Sequence, residues 1–226
     1  MRIIKPSYKI LSDIDSESIL KHIEKCGRIC YKSEDKITEE SARVFVKKII
    51  GNKHESVLEH FSFTVVFIND RGVSHEEVRH RLSSFSQEST RYVNYGKEDK
   101  GGCINYIDIK PHFDNLIGGT VVNPDKVKIE VTPELIMEWL YIWTEACRDA
   151  EKHYLYLTKK GCPPQLARSV LNNSTKTEIA ITSNLRQWRT IFKQRTSFAA
   201  HPQIREVMEP LLKELKQKLP IVFDDL

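Results

Sequence analysis

The segment from Thr132 to Lys160 constrains the fold of this chain more than any other feature. Thr132 is a good N-cap residue, and apolar residues recur at helical spacing after it. Gly161-Cys162-Pro163-Pro164 then stops the helix and allows a restart. The pattern predicts one long helix to about Lys160. Its expected buried side consists of Leu135, Trp139, Ile142, Trp143, Ala146 and Ala150.

Shorter periodic segments surround this helix. Residues 61–68 and 176–182, and more loosely 2–10, have the composition or alternation of strands. Further helices are predicted from Ser16 to about Cys30, Thr38 to Ile50, Val73 to about Ser83, Gln165 to Leu171, Asn184 to about Arg195 and Pro202 to Lys218. We therefore predict an α+β fold, with mixed helices and a central antiparallel sheet in a single domain over residues 1–226. A loop insertion is expected around residues 96–130.

Composition and charge restrict the classes of function. Hydrophobic residues make up 40% of the chain and charged residues 29%, with a net charge of +4 and acids interleaved with bases. That is too mildly basic for a dedicated duplex-binding protein, and no apolar run reaches the roughly 18 residues that a membrane span needs. The first residues lack a signal-peptide core, and the five cysteines are widely spaced. We expect a cytoplasmic protein with reduced thiols and no metal, membrane or nucleic-acid partner.

Residues 79–92 concentrate groups that bind anions. These fourteen residues include three arginines, one histidine, five Ser or Thr hydroxyls, one Gln and one Glu. Guanidinium groups match phosphate and carboxylate oxygens, and hydroxyls and amides fix orientation. A nucleotide is a suitable ligand, and since the sequence lacks glycine-rich phosphate loops, side chains and helix ends would have to bind it. Taken alone, the segment is equally well explained as a salt-bridged turn.

Three further clusters place polar residues at unusual positions. One runs from His54 to Phe63, one is Arg168 in an apolar short helix, and one runs from Asn184 to Arg195. Arg186 and Arg195 are nine residues apart, so on one helix they face roughly opposite ways, about 13 Å apart along the axis. They would serve two ligands, or a pocket shared between subunits. Singly, the clusters also fit structural roles: a salt-bridged Arg168, hydrogen-bonded His54 and His60, and a solvated helix face with Arg186, Arg189, Lys193 and Arg195.

Taken together, the four clusters resemble the flavin-dependent thymidylate synthases. Arg79-His80-Arg81, seven residues and then Ser89 is similar to the signature of that family. The segment from His54 to Phe63 resembles its His-Glu-Ser-x-x-Glu-His-x-x-Phe motif. Further similar segments are Cys30 to Ser33, Gly161 to Leu171, Asn184 to Arg195 and Ala200 to Gln203. The resemblance covers roughly residues 20–95 and 160–210.

This resemblance implies both an assembly and a reaction. The assembly is a homotetramer of α+β subunits, with active sites at the subunit interfaces. The reaction is methylation of dUMP to dTMP, with the methylene group from methylenetetrahydrofolate and the hydride from FAD that NADPH has reduced. The implied partners are therefore dUMP, folate, NADPH and further copies of the chain.

Residue by residue, the resemblance implies two sets of contacts and one catalytic group. The FAD set is Ser62, His60, Arg79, His80, Arg81, Gln87, Asn184, Arg186 and Thr190. The dUMP set is Glu76, Glu77, Val78, Arg79, Gln87, Glu88, Ser89, Thr90, Arg91, Arg168 and Arg195. Arg195 is also the implied catalytic residue, because a cation beside uracil stabilises negative charge developing on N3–C4–O4. Ser86, Thr190 and the segment Glu76-Glu77-Val78 depart from the residues common in the family.

Two assignments remain open at this point. Ser89 invites the role of nucleophile, but a serine needs a base placed to take its proton, and the nearest carboxylate is its neighbour Glu88. A phosphate ligand is the simpler role for it. The same arginines would also serve a nucleotide- or nucleic-acid-binding regulator without catalysis, or a family member that binds FAD but has lost synthase activity through Thr190 or Ser86.

Overall fold

The computed structural model describes residues 1–97, 99 and 101–226. Glu98 and Lys100, which belong to the predicted 96–130 insertion, lie outside the described residues. The chain divides into two compact units, the first formed by Met1–Pro6, Ile68–Ser74 and Gln87–Glu178 and the second by Ser7–Phe67, His75–Ser86 and Ile179–Leu226. That residues 1–226 form a single domain stays a prediction, because a division into compact units does not show whether either unit folds independently. No helix in the described ranges has the length and apolar character that crossing a bilayer requires.

The strands of the described residues form one larger and two smaller sheets. They are β1 (Arg2–Ile4), β2 (Ser7–Ile10), β3 (Ser62–Asp70), β4 (Ser83–Gln87), β5 (Asn105–Ile107), β6 (Thr120–Val122), β7 (Lys128–Glu130) and β8 (Lys176–Asn184). The larger sheet is antiparallel in the order β2-β3-β8-β4. Strand β1 pairs with β5 in parallel, and β6 pairs with β7 as an antiparallel hairpin. The predicted α+β fold with an antiparallel sheet is confirmed, and the homotetramer stays a prediction.

The helices begin and end close to the predicted residues in most cases. They are α1 (Ser16–Tyr31), α2 (Ser41–Gly51), α3 (Arg71–Glu77), α4 (Lys110–Asp114), α5 (Pro133–Lys159), α6 (Pro164–Ala167), α7 (Leu185–Arg195), α8 (Pro202–Lys218) and α9 (Pro220–Phe223). Short 3-10 helices cover Glu34–Lys36, Glu55–His60 and Arg168–Val170. Thr132 caps α5 as predicted, because its hydroxyl accepts from the Leu135 amide at 3.3 Å. Gly161 ends the region with φ +87°, a conformation that glycine adopts without strain.

The core of the first unit packs around α5. The Tyr106 hydroxyl donates to the Cys147 carbonyl at 2.8 Å, and the Trp143 indole donates to the Ser174 hydroxyl at 2.9 Å. The buried cluster there consists of Tyr95, Ile104, Tyr106, Cys147, Tyr154 and Ala167. These contacts fix α5 by its middle turns, where aromatic side chains bury their rings and satisfy their polar atoms.

The core of the second unit is an aromatic stack centred on Trp188. Its ring stacks on Phe63 with centroids 4.9 Å apart and on Phe192 at 5.7 Å, and Phe192 meets Phe223 edge-on at 5.7 Å. The Trp188 indole also donates to the Phe63 carbonyl at 3.2 Å. Stacked and edge-on aromatic pairs each add about 1 kcal/mol beyond the area they bury. The stack therefore fixes α7 against β3 and the C-terminal α9.

Two secondary-structure predictions are wrong in part. The helix predicted from Val73 to about Ser83 ends at Glu77, because tight turns follow: the amides of Arg79 and His80 donate to the carbonyls of Glu76 and Glu77. Ser83 already belongs to strand β4. The predicted 96–130 loop insertion is also more regular than expected, since β5, α4, β6 and β7 lie within it.

The buried side of α5 is a third correction. The helix buries Ile136, Cys147, Ala150 and Tyr154. At 100° per residue these four fall within about 60° of one another, so they form one face. Of the predicted stripe only Ala150 belongs to this set, and Ile142 is 58% exposed. The prediction assumed that the most apolar stripe is buried, whereas Met137 and Tyr141 are also exposed apolar residues of this helix.

Candidate functional site

Helix α7 positions the arginine on which the expected chemistry depends. Asn184 caps it as predicted, because its side chain accepts from the Gln187 amide at 2.8 Å. Trp188 and Phe192 are fully buried on the inner face. Arg195 therefore stands in the last turn of a helix whose orientation the core has already fixed.

Every nitrogen of the Arg195 guanidinium has a partner within the second unit. Nε donates to His80 Nε2 at 3.0 Å, Nη1 to Glu76 Oε2 at 2.6 Å, and Nη2 to the Glu76 carbonyl at 3.1 Å. The Arg195 side chain is 17% exposed and that of Glu76 is 30% exposed. The structure thus brings together three of the predicted residues. Arg195 and Glu76 form a half-buried ion pair, and His80 accepts a hydrogen bond that helps to orient the arginine.

His80 holds this arrangement as a neutral ring. Burial, followed by the positive charge of Arg195, lowers its pKa from 6.5 to about 4. Because Nε2 accepts from Arg195, the proton of the neutral ring is assigned to Nδ1. His80 is buried, and near neutral pH it acts as a hydrogen-bond acceptor for the arginine and adds no charge.

The two arginines that flank His80 have a different environment. Arg79 and Arg81 are exposed, in the turns between α3 and β4. Of the residues just before them, Glu77 is fully buried and Val78 is 40% exposed. Burial therefore alternates along the triplet: the imidazole of His80 is buried, and the guanidinium groups on either side of it are exposed to an anionic ligand.

Arg186, at the opposite end of α7, has partners of its own. It donates to Glu59 at 2.6 Å in a pair whose side chains are 50% and 45% exposed. Thr190 is exposed and returns a hydrogen bond to the Arg186 carbonyl at 3.2 Å. Since Arg186 contacts Glu59 and Arg195 contacts Glu76, the two ends of the helix offer two separate cationic positions, which agrees with the spacing argument.

The remaining predicted residues of the second unit lie where the 3-10 helix meets β3. His60 ends the 3-10 helix and Ser62 begins the strand, and both are exposed. The His60 carbonyl accepts from His22 Nε2 at 3.1 Å. Their side chains are thus available to a ligand, and no described contact assigns one to them.

The segment 87–91 is held in the first unit by its own hydrogen bonds. Gln87 Nε2 donates to the hydroxyls of Ser74 at 2.9 Å and Thr177 at 3.1 Å. The Glu88 carboxylate accepts from Tyr95 at 2.6 Å and from Lys176 at 2.7 Å. The Gln87 amide and the Glu88 carboxylate therefore form their hydrogen bonds within the protein, and these bonds fix the shape of the loop.

Ser89, Arg91 and Arg168 supply the more accessible groups of the same unit, and Thr90 lies buried beside them. Arg168 is exposed and donates to the hydroxyl of buried Thr90 at 3.1 Å. Ser89 accepts from the Arg91 amide at 3.3 Å, and the Arg91 guanidinium lies over the Tyr92 ring at 5.4 Å. Two exposed guanidinium groups and a hydroxyl at a turn are donors that suit a phosphate.

Comparison with known proteins identifies the family. A family model described as "Thymidylate synthase complementing protein" matches residues 14–221. A flavin-dependent thymidylate synthase from Corynebacterium efficiens is 30% identical over 227 residues, which cover 97% of this chain and 84% of the relative. The chain belongs to the flavin-dependent thymidylate synthase family. A second synthase of this family, from Geobacter sulfurreducens, is 31% identical over 206 residues, covering 88% of this chain and 78% of the relative.

A solved structure shares the fold of this family member. The UMP/dUMP methylase PolB from Streptomyces cacaoi, solved with 5-Br dUMP, has a TM-score of 0.78. The likeness covers 99% of this chain and 96% of PolB at 21% sequence identity. At that identity it establishes the common fold, and the description of ligands belongs to PolB.

Sequence reasoning missed a buried arginine, Arg189, of this flavin-dependent thymidylate synthase family member. The alternative structural role placed Arg189 on a solvated helix face, yet its side chain is 1% exposed and donates to Asp225 at 2.6 and 2.7 Å and to Glu55 at 3.1 Å. It also donates to the Val222 carbonyl. A signal was present, because Arg189 is four residues after buried Leu185 and three before buried Phe192, on the inner face of α7.

A cleft beside α1 and α2 also escaped the sequence prediction. Its volume is about 880 Å³, and Tyr31 and His54, joined at 3.3 Å, stand on its wall. Buried Glu24 supports it by accepting from Arg28 at 2.7 Å and from Ser41 at 2.8 Å. The other residues that line the cleft are Ser33, Lys36, Thr38, Glu40, Val44, Phe45, Lys48, Ile49 and Asn52.

Among the described residues, no cluster of three or more His, Cys, Asp or Glu could hold a metal ion.

Proposed function

We propose that this protein methylates dUMP to dTMP, with the carbon from methylenetetrahydrofolate and the hydride from FAD that NADPH reduces. The observation that carries the proposal is the Arg195 cluster. It holds a guanidinium, oriented and half-buried, at the position that resembles the uracil-activating arginine of the family. The named synthase relatives and the dUMP analogue in PolB support the same substrate.

The donor chemistry of the predicted FAD residues fits a flavin dinucleotide. Arg79, Arg81 and Arg186 present exposed guanidinium groups that match pyrophosphate oxygens. Asn184 uses its oxygen as the helix cap, so its amide NH₂ group is the donor that it offers to a ligand. His60, Ser62 and Thr190 add smaller polar groups. FAD, when bound, supplies the hydride that reduces the transferred carbon.

The proposed phosphate ligands of dUMP are Ser89, Arg91 and Arg168. All three carry groups suited to phosphate, and the bonds of Gln87 and Glu88 fix the loop that contains two of them. Both oxygens of Glu88 are engaged, by Tyr95 and by Lys176, so its carboxylate is not poised to take a proton from Ser89. This geometry favours Ser89 as a phosphate ligand over Ser89 as a nucleophile.

Arg195 is the proposed catalytic residue. A guanidinium beside the uracil stabilises negative charge developing on N3–C4–O4 as C5 becomes nucleophilic, and a group already oriented needs no reorganisation at that moment. The homotetramer implied by the family remains part of the proposal. So does a location in the cytoplasm without membrane or nucleic-acid partners.

A flavin spectrum and a tritium-release assay test the proposal together. Purified protein should be yellow or take up FAD, and with NADPH and methylenetetrahydrofolate it should release tritium from 5-tritiated dUMP. Colourless protein that neither binds FAD nor releases tritium would refute the enzyme. A regulator that only binds nucleic acid would instead show binding that falls steeply with salt and no flavin bands.

A further inference from the structure

Glu76 contacts Arg195 through two different groups. Its Oε2 atom accepts from Nη1 at 2.6 Å, and its main-chain carbonyl accepts from Nη2 at 3.1 Å. The third guanidinium nitrogen, Nε, is held by His80. Two of the three groups that orient the proposed catalytic arginine thus belong to one residue, and that residue adds a full negative charge.

The pair is more enclosed than the neighbouring pair on the same helix. Arg195 and Glu76 are 17% and 30% exposed, whereas Arg186 and Glu59 are 50% and 45% exposed. Exposed ion pairs contribute little because solvent screens them and both side chains lose freedom. The more enclosed pair with a second, main-chain acceptor is the better oriented one.

We propose that Glu76 is a positioning residue that acts through Arg195, an inference that rests on the proposed function. The side chain and carbonyl hold the guanidinium in one orientation. At the same time the carboxylate offsets part of the positive charge that Arg195 would present to dUMP. Orientation and charge therefore act in opposite directions at this one position, and substitutions separate them.

Two substitutions divide the two effects. Glu76→Gln keeps an oxygen that accepts from Arg195 Nη1 but removes the negative charge. Glu76→Ala removes both the acceptor and the charge and leaves the main-chain carbonyl. If Glu76 mainly orients Arg195, glutamine restores what alanine loses. If its charge partly offsets Arg195, glutamine also strengthens the binding of an anionic nucleotide.

The experiment measures kcat and KM for dUMP by tritium release, and dUMP affinity by isothermal titration calorimetry. Glu76→Ala should lower kcat about 10- to 100-fold, the scale of a misplaced catalytic group. Glu76→Gln should keep kcat within about threefold of wild type and bind dUMP about threefold more tightly. The matched control is Glu209→Gln on α8, whose carboxylate accepts from Arg205 at 2.8 Å on the surface; it should change neither value by more than about twofold.

Several outcomes would overturn the inference while the proposed function stands. They are wild-type kcat in Glu76→Ala, an equal loss of kcat in both Glu76 variants, or weaker dUMP binding in Glu76→Gln. Flavin content and the urea midpoint of each variant show whether it is folded, and the glutamine arm decides the matter if alanine unfolds the protein. A wild-type protein that neither binds dUMP nor releases tritium would refute the proposed function and this inference with it.

Discussion

Arg189 and Arg195 lie six residues apart on α7 and are both paired with carboxylates, yet their surroundings differ. The Arg189 side chain is 1% exposed, and two carboxylates and a carbonyl surround it. The Arg195 side chain is 17% exposed, and its partners are one carboxylate, one carbonyl and one neutral imidazole. One helix therefore carries a closed ionic network and an open one.

The difference separates stability from reactivity. Burial works to lower the pKa of Arg189, but the hydrogen bonds and charges of Asp225 and Glu55 outweigh it and the pKa is raised. That network connects the C-terminal residues and the 3-10 helix Glu55–His60 to α7, and the Arg189 guanidinium is buried within it. The Arg195 network also has a partner for each guanidinium nitrogen but is partly exposed, which suits the proposed catalytic role. Four predictions test this contrast.

The largest effect is expected from Arg195→Ala. Methylation should fall by about 10²–10³-fold, the cost of removing one preorganised group that stabilises developing charge. FAD content should stay near the wild-type level, because Arg79, Arg81 and Arg186, whose exposed guanidinium groups are the proposed pyrophosphate ligands, are unchanged. Tritium release and the flavin absorbance measure the two quantities, with Arg205→Ala as the control. Near-normal turnover would show that another group activates the uracil.

Arg189→Met should act on stability instead. It removes a fully buried cation that pairs with Asp225 and Glu55 and donates to the Val222 carbonyl, and breaking an ionic network around a buried side chain costs about 3 kcal/mol. Urea unfolding measures the free energy of unfolding. Arg205→Met, at a surface pair, should cost about 0.5 kcal/mol. An equal loss in the two variants would mean that the Arg189 network contributes no more than a surface pair.

The lowered pKa of His80 predicts that the stability of the protein depends on pH. Its pKa is lowered from 6.5 to about 4, so the unfolded chain binds a proton that the folded chain does not. Stability should therefore fall as the pH drops from about 6.5 toward 4, by about 2 kcal/mol between pH 7 and pH 5. In His80→Gln, which keeps an acceptor for Arg195, this component should be absent. The check is urea unfolding at both pH values, and an unchanged pH dependence in the variant would contradict it.

Asp225→Asn should give the smallest effect. The hydrogen bond from Arg189 is the main cause of a lowered pKa at Asp225, so its contribution is present above the ordinary pKa and is lost as the pH falls through the folded value. Because this side chain is 51% exposed, solvent screens the pair and the loss near pH 7 should be about 1 kcal/mol. The free energies of unfolding of wild type and variant should begin to converge below about pH 4. A constant difference down to about pH 3 would contradict the assignment.

Local signals predicted most elements of the fold. The caps at Thr132 and Asn184 and the start of α8 at Pro202 are short-range features that the sequence states directly. The end of α3 and the buried face of α5 were mispredicted because tertiary packing decides them. Periodicity alone does not say which of two apolar sides faces the core, as exposed Ile142 illustrates.

The site followed the same division. The resemblance gave the residue set, and the helix spacing separated Arg186 from Arg195. Neither the resemblance nor the spacing revealed that Glu76 and His80 contact Arg195. These residues lie more than a hundred positions from Arg195 along the chain, and only the fold brings them together. Arg189 was placed with the solvated arginines because charge was weighed above its inward position on α7.

The most direct test of the central claim is the anaerobic reoxidation of reduced flavin bound to this protein. With dUMP and methylenetetrahydrofolate both added, the flavin absorbance should return and dTMP should form in equal amount, and Arg195→Ala should do neither. Flavin that stays reduced in the wild-type protein while dUMP remains unchanged would contradict the account.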